Sequence, residues 1–388
     1  MSIKLSKRSK LINAQPMFDI LEKAKKIESK SKVIHMEIGD SSSFKNKSIK
    51  DLIHKYLKKH DSLQYSPSIG EKFLRDAISF HYTNLTKKKI NSCSVAITPA
   101  NAGISQIINA LTDRGDSIMI PDPGFPSYKI ASKKNEISHN YYSIHEKDFF
   151  MINPIEIKEL IIKNKPKIII INNPSNPLGI AQNVNHLDEI IEFCFKKKIY
   201  VLVDDTYRNL IYVDNYPRIK HLPNLVYLYS LSKDTASPAL RIGAIIANNK
   251  LIKKISEDNS SSYSCLPKFI QNAAAEYLFD DNRPFRIHLR QEMAKRINYV
   301  DNLLNPLKNI SYIKPNAGMY FFINVSRLKI TGKKFCDDLL AKKNIAVCPG
   351  LTFGPSGKYY IRICISINKS LLIQGIKGMV DFIENYNE

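Results

Sequence analysis

Short apolar runs alternate with stretches of helical periodicity along the middle of the chain. The clearest run is four consecutive isoleucines between Lys167 and Asn172, which is typical of a strand buried on both faces of a sheet. The same pattern predicts helices over residues 104–111 and 186–197. It predicts strands over residues 95–98, 117–121, 167–172, 199–203, 225–229 and 242–247. This alternation favours an α/β fold with a mostly parallel sheet and helices on both faces.

The two ends of the chain differ from this middle part. Towards the N-terminus we expect an amphipathic helix over residues 17–30, a strand over 33–38 and a helix over 70–82. After about residue 285, a long charged helix over 286–304 precedes strands over 318–324 and 359–365, as in a smaller α+β domain. Because a chain of 388 residues is too long to form a single compact core, we predict two domains. We predict a large domain over residues 41–285 and a small C-terminal domain over residues 286–388. Residues 1–40 are predicted to form an arm and a helix that belong to the small domain, and the first dozen of them are predicted to be mobile.

The charge and the cysteines narrow the classes of function. The formal net charge is +22, but the lysines are spread along the whole chain and there is no dense arginine stripe. Nucleic-acid binders concentrate basic residues on one face or helix, so we expect no nucleic-acid partner. The six cysteines form no Cys-x-x-Cys pair and no Cys/His cluster, which predicts no metal site and a reducing, cytoplasmic setting. The apolar runs are too short for a membrane span or a secretion signal, so we expect neither.

Residues that can carry chemistry follow three of the predicted strands directly. Asn172, Asp204 and Ser230 stand where apolar runs end, and ligands of such sheets bind beyond the carboxyl ends of the strands. Shortly after Ser230, Lys233 lies between hydroxyl residues and Arg241. A lysine in these surroundings suits Schiff-base chemistry while its neighbours hold a phosphate. A carboxylate at the end of an apolar strand, such as that of Asp204, needs a hydrogen-bond or ionic partner to offset the free-energy cost of burying its charge.

Four segments share an order and a spacing with one enzyme family. They are Ser175-Asn176-Pro177-Leu178-Gly179, Asp204-Asp205-Thr206-Tyr207, Tyr229-Ser230-Leu231-Ser232-Lys233 and Arg241-Ile242-Gly243. In these segments the chain resembles the class I/II aminotransferases, which have fold type I and depend on pyridoxal 5′-phosphate (PLP). The resemblance extends from about residue 15 to residue 365. It implies a PLP-dependent aminotransferase that moves an amino group between an L-amino acid and a 2-oxo acid. It also implies a large domain with a seven-stranded sheet and a small α+β domain built from both chain ends.

The resemblance implies a role for each residue of the cofactor site. Lys233 would form the Schiff base with PLP and later move the proton, and Asp204 would hold the pyridine nitrogen protonated. Tyr207 and Asn176 would bind the ring 3′-oxygen, and Phe125 would stack on the ring. The phosphate would be bound by the side chains of Ser230, Ser232 and Arg241 and by the backbone N–H groups of Asn101 and Ala102, where a helix begins.

Substrate binding and assembly follow from the same resemblance. Arg362 would bind the substrate α-carboxylate through its planar guanidinium, with Asn176 and the backbone of Gly39 in the same pocket. Tyr65 matches a tyrosine that reaches the phosphate in the other subunit, which implies a homodimer whose sites lie at the interface. The partners would be small molecules, an amino acid and a 2-oxo acid.

The chain departs from the family pattern at four positions. Leu178 replaces a usual threonine, and Ala100 and Ala239 replace usual glycines near the phosphate. Ala102 stands where one aspartate-specific subfamily has a lysine, which disfavours that type of aspartate enzyme. Aromatic, alanine-type and larger biosynthetic substrates all stay open.

Two other functions are compatible with these motifs. The motifs imply that the Cα–H bond is weakened but not what happens to the carbanion. A PLP-dependent lyase or synthase of the same fold, acting at Cα or Cβ of the amino acid, is therefore the first alternative. The second is a regulatory protein on this scaffold, which would carry an added helix-turn-helix module that the sequence does not reveal.

Overall fold

The computed structural model describes residues 4, 6, 17–29, 31–41, 43–59, 63–214, 216–217, 220–279 and 284–386. The arm predicted for the first dozen residues lies outside these ranges apart from positions 4 and 6. Within them the strands are, in chain order, β1 Ile34–His35, β2 Val95–Ile97, β3 Ser117–Asp122, β4 Ser138–Ser143, β5 Ile168–Asn172, β6 Tyr200–Asp204, β7 Leu225–Ser230, β8 Gly243–Ile246, β9 Ser311–Tyr312, β10 Tyr320–Asn324, β11 Ile345–Ala346, β12 Cys348–Pro349 and β13 Tyr360–Cys364. The helices are α1 Met17–Glu28, α2 Lys47–Lys59, α3 Lys72–Thr86, α4 Ala100–Leu111, α5 Pro126–Lys134, α6 Pro154–Asn164, α7 Val184–Lys196, α8 Leu231–Asp234, α9 Asn249–Ser262, α10 Lys268–Phe279, α11 Pro284–Leu304, α12 Gly332–Lys343 and α13 Lys369–Glu384.

The main sheet has seven strands in the order β2-β8-β7-β6-β5-β3-β4. Only β8 runs antiparallel to its neighbours, so the predicted mostly parallel seven-stranded sheet is confirmed. Every residue of β5 is buried, as the run of isoleucines predicts. The sequence pattern missed β4, whose residues are polar and mostly half-buried because it pairs on one side only, with β3.

The register of the central strands brings their ends together. Asn172 at the end of β5 pairs directly with Asp204 at the end of β6. In β7 the chain continues past the same edge to Ser230 and turns at once into the short helix α8, which carries Lys233. The three predicted strand ends therefore meet at one edge of the sheet.

A second sheet, in the order β12-β13-β10-β9, lies in the C-terminal part and carries Arg362 on β13. The N-terminal segment joins this part, because β1 pairs with β11 and the α1 residues Ile20 and Ala24 pack against Leu340 and Ala346. The α+β region thus draws on both chain ends, as predicted, while the boundaries at residues 40 and 285 stay predictions.

The predicted strand over 33–38 is shorter in the structure, where β1 covers only Ile34–His35. At Met36 the backbone changes partners: its N–H donates to the carbonyl of Ala346, and its own carbonyl accepts from the N–H of Cys364. The residues that follow leave the strand and enter the edge of the cleft described below. No helix among the described residues has the length and the hydropathy required to cross a membrane.

Candidate active site

A cleft of about 440 Å³ opens at the carboxyl edge of β5, β6 and β7, beside β13. Eleven of the thirteen predicted site residues line it: Gly39, Asn101, Phe125, Asn176, Asp204, Tyr207, Ser230, Ser232, Lys233, Arg241 and Arg362. Ala102 and Tyr65 are not part of its wall. The motifs, which are dispersed over more than 320 residues of sequence, therefore converge on one cavity.

Lys233 is partly buried, and its amine is enclosed in the cleft. It lies on α8, whose first turn is capped by the Ser230 hydroxyl, which accepts from the N–H of Ser232 at 3.4 Å. The Lys233 amine donates to the carbonyl oxygen of Gly39 at 2.5 Å. Burial lowers the pKa of Lys233, and Arg362 and Arg241 lower it further, while Cys364 and Asp40 oppose them. The amine is thereby shifted towards its neutral, nucleophilic form.

A buried ion pair anchors the helix that carries Lys233. The next residue, Asp234, accepts from Arg286 of α11 at 3.2 Å, from the Tyr229 hydroxyl at 2.9 Å and from the Asn209 amide at 2.5 Å. These contacts join α8 to β7 and to α11. The sequence motifs did not reveal this pair, because nothing in the Ser-Lys-Asp segment indicates a distant arginine.

Asp204 is buried at the end of β6 and is held by two hydroxyl groups. Thr206 donates to its Oδ1 at 2.6 Å, and Tyr128 of α5 donates to its Oδ2 at 2.7 Å. Burial raises the pKa of Asp204, and the hydrogen bonds from Thr206 and Tyr128 counteract that increase. The sequence motifs missed Tyr128. The adjacent Asp205 does not line the cleft and accepts instead from the buried Tyr82 hydroxyl at 3.1 Å.

Arg362 is 1 % exposed and lies between two aromatic rings, with its guanidinium carbon 4.3 Å from the centre of Tyr320 and 4.7 Å from that of Phe353. One terminal nitrogen donates to Oδ1 of Asn176 at 3.0 Å, and the other donates to the carbonyl of Glu37. Its Nε is buried and has no hydrogen-bond partner among the described residues. A buried guanidinium with an unused donor is a receptor for an anionic oxygen.

Tyr320 is a cleft residue that the sequence motifs missed. Its hydroxyl lies 2.8 Å from that of Tyr207, and the two share a hydrogen bond. The same hydroxyl would lie 1.9 Å from a Cβ placed on Gly39, so the chain can approach here only as glycine. Tyr320 therefore connects the Tyr207 hydroxyl, the Gly39 backbone and the face of Arg362.

The opposite end of the cleft is formed by the start of α4 and by Arg241. Asn101 lines the cleft in the first turn of α4, whereas the Ala102 N–H donates to the carbonyl of Pro99 at 2.9 Å. Arg241 has φ of 57°, an unusual conformation for a residue other than glycine, and donates to the Pro238 carbonyl at 2.7 Å. A helix start beside an arginine and two serines suits a phosphate group.

Tyr65 lies outside the cleft of its own chain. Its side chain is 86 % exposed, although the segment that carries it is fixed nearby, where the Ser66 N–H donates to Sγ of Cys265 at 3.3 Å. The predicted contact with a second subunit stays a prediction.

Comparisons with known proteins agree with this architecture. The family "Aminotransferase class I and II" matches residues 31–377. The aspartate aminotransferase of Pyrococcus horikoshii is 29 % identical over 98 % of this chain and 97 % of its own length. The (5-formylfuran-3-yl)methyl phosphate transaminase of Methanocaldococcus jannaschii is 30 % identical over 98 % of this chain and 99 % of its own length. The crystal structure of an aspartate aminotransferase from Thermotoga maritima has a TM-score of 0.90 at 24 % identity, covering 98 % of this chain and 100 % of that one.

The fold is that of the fold type I enzymes, as predicted. The chain belongs to the class I and II aminotransferases and is a PLP-dependent aminotransferase. The residues of the cleft fit this cofactor. They include an enclosed amine with a lowered pKa, a buried carboxylate on the adjacent strand, and a helix start beside Arg241.

Proposed function

We propose that the cleft is the active site and that Lys233 is its catalytic base. The observation that supports this most directly is that the enclosed amine of Lys233 shares one cavity with Asp204, Arg241 and Arg362. In this assignment Arg241, Ser230, Ser232 and the start of α4 bind the cofactor phosphate, and Asp204 faces the ring nitrogen. Tyr207 and Asn176 bind the ring 3′-oxygen, and Phe125 covers one face of the ring.

PLP supplies an electron sink that stabilises negative charge at the substrate Cα. With the cofactor bound, the Nζ atom of Lys233 would take the proton from the substrate Cα and deliver it to C4′ of the cofactor. This role requires a neutral amine, which the burial of Lys233 favours. Asp204 keeps its orientation through Thr206 and Tyr128 while it holds the ring nitrogen protonated.

The substrate α-carboxylate is assigned to Arg362. Asn176 and the Glu37 carbonyl fix its guanidinium in place, and the rings of Tyr320 and Phe353 cover its two faces. An arginine fixed in this way loses little side-chain entropy when a carboxylate binds. The unpaired Nε is a donor that such a carboxylate can use.

The active unit in this proposal is a homodimer, and Tyr65 of each subunit reaches the phosphate in the other. The exposure of Tyr65 beside a fixed segment supports this assignment. We also assign the protein to the cytoplasm. All six cysteines are free and four of them are buried, which suits a reducing compartment.

Replacement of Lys233 by alanine tests the central assignment. We expect Lys233→Ala to lose turnover and the visible absorption band of PLP joined covalently to the lysine, and to keep its circular dichroism spectrum and its mass in solution. Lys377→Ala, at an exposed lysine of α13, is the matched control and should behave like the wild type. Turnover near the wild-type rate in Lys233→Ala would refute the mechanism. Release of a 2-oxo acid without formation of the matching amino product would favour the lyase or synthase alternative.

A further inference from the structure

Three linked side chains connect helix α1 to the segment that contacts Lys233 and Arg362. The ring of His35, in β1, lies between two carboxylates. Its Nδ1 is 2.7 Å from Oε1 of Glu37, and its Nε2 is 2.9 Å from Oε1 of Glu28, the last residue of α1. The hydrogen bond to Glu37 raises the pKa of His35 to about 9, against the effect of burial. The ring is therefore protonated at neutral pH, and both of its nitrogens donate.

The carboxylate of Glu37 is buried and depends on this imidazolium. The side chain of Glu37 is 0 % exposed, whereas those of His35 and Glu28 are 29 % and 41 % exposed. The Oε2 atom of Glu37 has no hydrogen-bond partner among the described residues. Because a buried carboxylate is unfavourable unless it is paired, the Glu37 side chain is held where His35 can reach it.

The backbone of Glu37 is at the same time part of the candidate active site. Its carbonyl accepts from a terminal nitrogen of Arg362, and two residues later the carbonyl of Gly39 accepts from Lys233. The backbone bends at residues 37 and 38, directly after β1. Since the hydrogen bond from His35 to Glu37 spans the start of this bend, it fixes the direction of the Glu37 carbonyl.

Other contacts hold the chain on either side of the bend. Before it, the backbone N–H and carbonyl of Met36 are hydrogen-bonded to residues of β11 and β13. After it, the carbonyl of Asp40 accepts from the Ser366 hydroxyl at 2.6 Å. Between these two points, the ion pair of Glu37 ties the backbone through a side chain.

We propose that His35 and Glu37 are positioning residues for Arg362. Their ion pair holds the backbone carbonyl that orients the guanidinium towards the α-carboxylate of the substrate. Neither side chain touches the substrate or the cofactor in this role. The proposal deepens the proposed function and rests on it, because it requires Arg362 to bind that carboxylate.

The separation of KM from kcat in PLP-loaded enzyme tests this role. The probe is the member of a panel of L-alanine, L-aspartate, L-glutamate and L-phenylalanine that the wild type converts fastest. Glu37→Ala should raise KM about fivefold or more and change kcat less than about twofold, because a displaced Arg362 binds the carboxylate less well in the ground state and the transition state alike. The single-turnover rate with the matching amine, which lacks the α-carboxylate, should stay within about twofold of the wild-type rate.

Further variants show whether the two residues act as a unit. Glu37→Gln keeps the shape and an acceptor for His35, so its KM should lie nearer to the wild-type value than that of Glu37→Ala. His35→Ala should also raise KM, and adding it to Glu37→Ala should change little, because either substitution breaks the same contact. Lys23→Ala is the matched control, since it removes a different ion pair of α1, to Asp337 at 3.0 Å, and should leave KM unchanged.

Circular dichroism and the visible spectrum show whether each variant is folded and loaded with PLP. An unchanged KM in folded Glu37→Ala refutes the positioning role, and so does an equal loss of activity towards the amino acid and the amine. If Glu37→Ala does not fold, His35→Ala is judged by the same two criteria, because its side chain is partly exposed.

The failures of the two proposals differ. If Arg362→Ala raises KM while Glu37→Ala and His35→Ala do not, the positioning role is refuted and the active-site assignment stands. If Arg362→Ala itself leaves KM unchanged, the carboxylate assignment fails, and the positioning role fails with it.

Discussion

Removing the carboxylate of Asp234 should destabilise the enzyme strongly, although this carboxylate lies outside the cleft wall. Its side chain is 5 % exposed, and that of its partner Arg286 is 9 % exposed. Without Asp234, the buried Arg286 guanidinium loses this charged hydrogen-bond acceptor, which costs about 1.5–3 kcal/mol. Asp234→Asn keeps an acceptor for Tyr229 and Asn209 but removes the charge. It should therefore lower the free energy of unfolding less than Asp234→Ala does.

The assay is urea unfolding followed by circular dichroism, at one fixed PLP concentration because the ligand itself stabilises the folded state. A double-mutant cycle with Asp234→Asn and Arg286→Met should give a coupling free energy above about 1 kcal/mol. Asp381→Ala, which removes an exposed partner of Lys343, is the control and should leave the midpoint unchanged. If Asp234→Ala lowers the free energy of unfolding by less than about 1 kcal/mol at an unchanged m-value, the assumption that the Asp234–Arg286 pair is buried and stabilising is refuted.

Three further predictions concern the cleft and its surroundings. Asp204→Ala should lower the rate by more than about tenfold and PLP affinity much less; a smaller rate loss in stopped-flow measurements would mean that the ring nitrogen is held by another group. Arg362→Ala should raise KM for amino acids about tenfold or more with a smaller effect on kcat, and an unchanged KM would place the carboxylate elsewhere. The hydrogen bond from His35 to Glu37 raises the pKa of His35 to about 9, so its folded value lies above its unfolded one. The stability that this pair adds should be full below about pH 6.5 and disappear as the pH rises through about 9, so the stability gap between wild type and His35→Ala should narrow over that range.

The fold was largely predictable because buried parallel strands leave a clear signal. Each of the six predicted strands between residues 95 and 247 is present, with ends shifted by only a few residues. The polar strand β4 was not predictable in the same way, since a strand at a sheet edge does not need an apolar face. Helix α5 was also missed, because its sequence Pro-Ser-Tyr-Lys-Ile-Ala-Ser-Lys-Lys has little hydrophobic periodicity.

The candidate site was predictable where its residues belong to local motifs, and not where they come from distant elements. Asp204 stands at the end of β6, and Lys233 follows shortly after the end of β7, so the apolar runs reveal both positions. Tyr128, by contrast, lies 76 residues from its partner Asp204, and Tyr320 lies 113 residues from Tyr207. A tyrosine on an ordinary helix or a buried strand carries no sequence signal for such a contact. Only the folded structure shows that these tyrosines contact the site.

The position of Arg362 relative to Lys233 depends on contacts between the two sheets. The main sheet supplies Asp122, which accepts from the hydroxyl of Ser356 at 2.7 Å, and the N–H of Gly124 donates to the carbonyl of Phe353 at 2.7 Å. These bonds hold the segment from Gly350 to Tyr359 against the end of β3, and this segment places the Phe353 ring on the Arg362 guanidinium. Because Asn176, in the turn that follows β5, also accepts a hydrogen bond from Arg362, the arginine is fixed from both sides. The distance between the Arg362 guanidinium and the Lys233 amine is therefore set by the interface between the sheets. If the proposed roles of these two residues hold, a substitution at that interface changes substrate affinity without altering any residue that contacts the substrate.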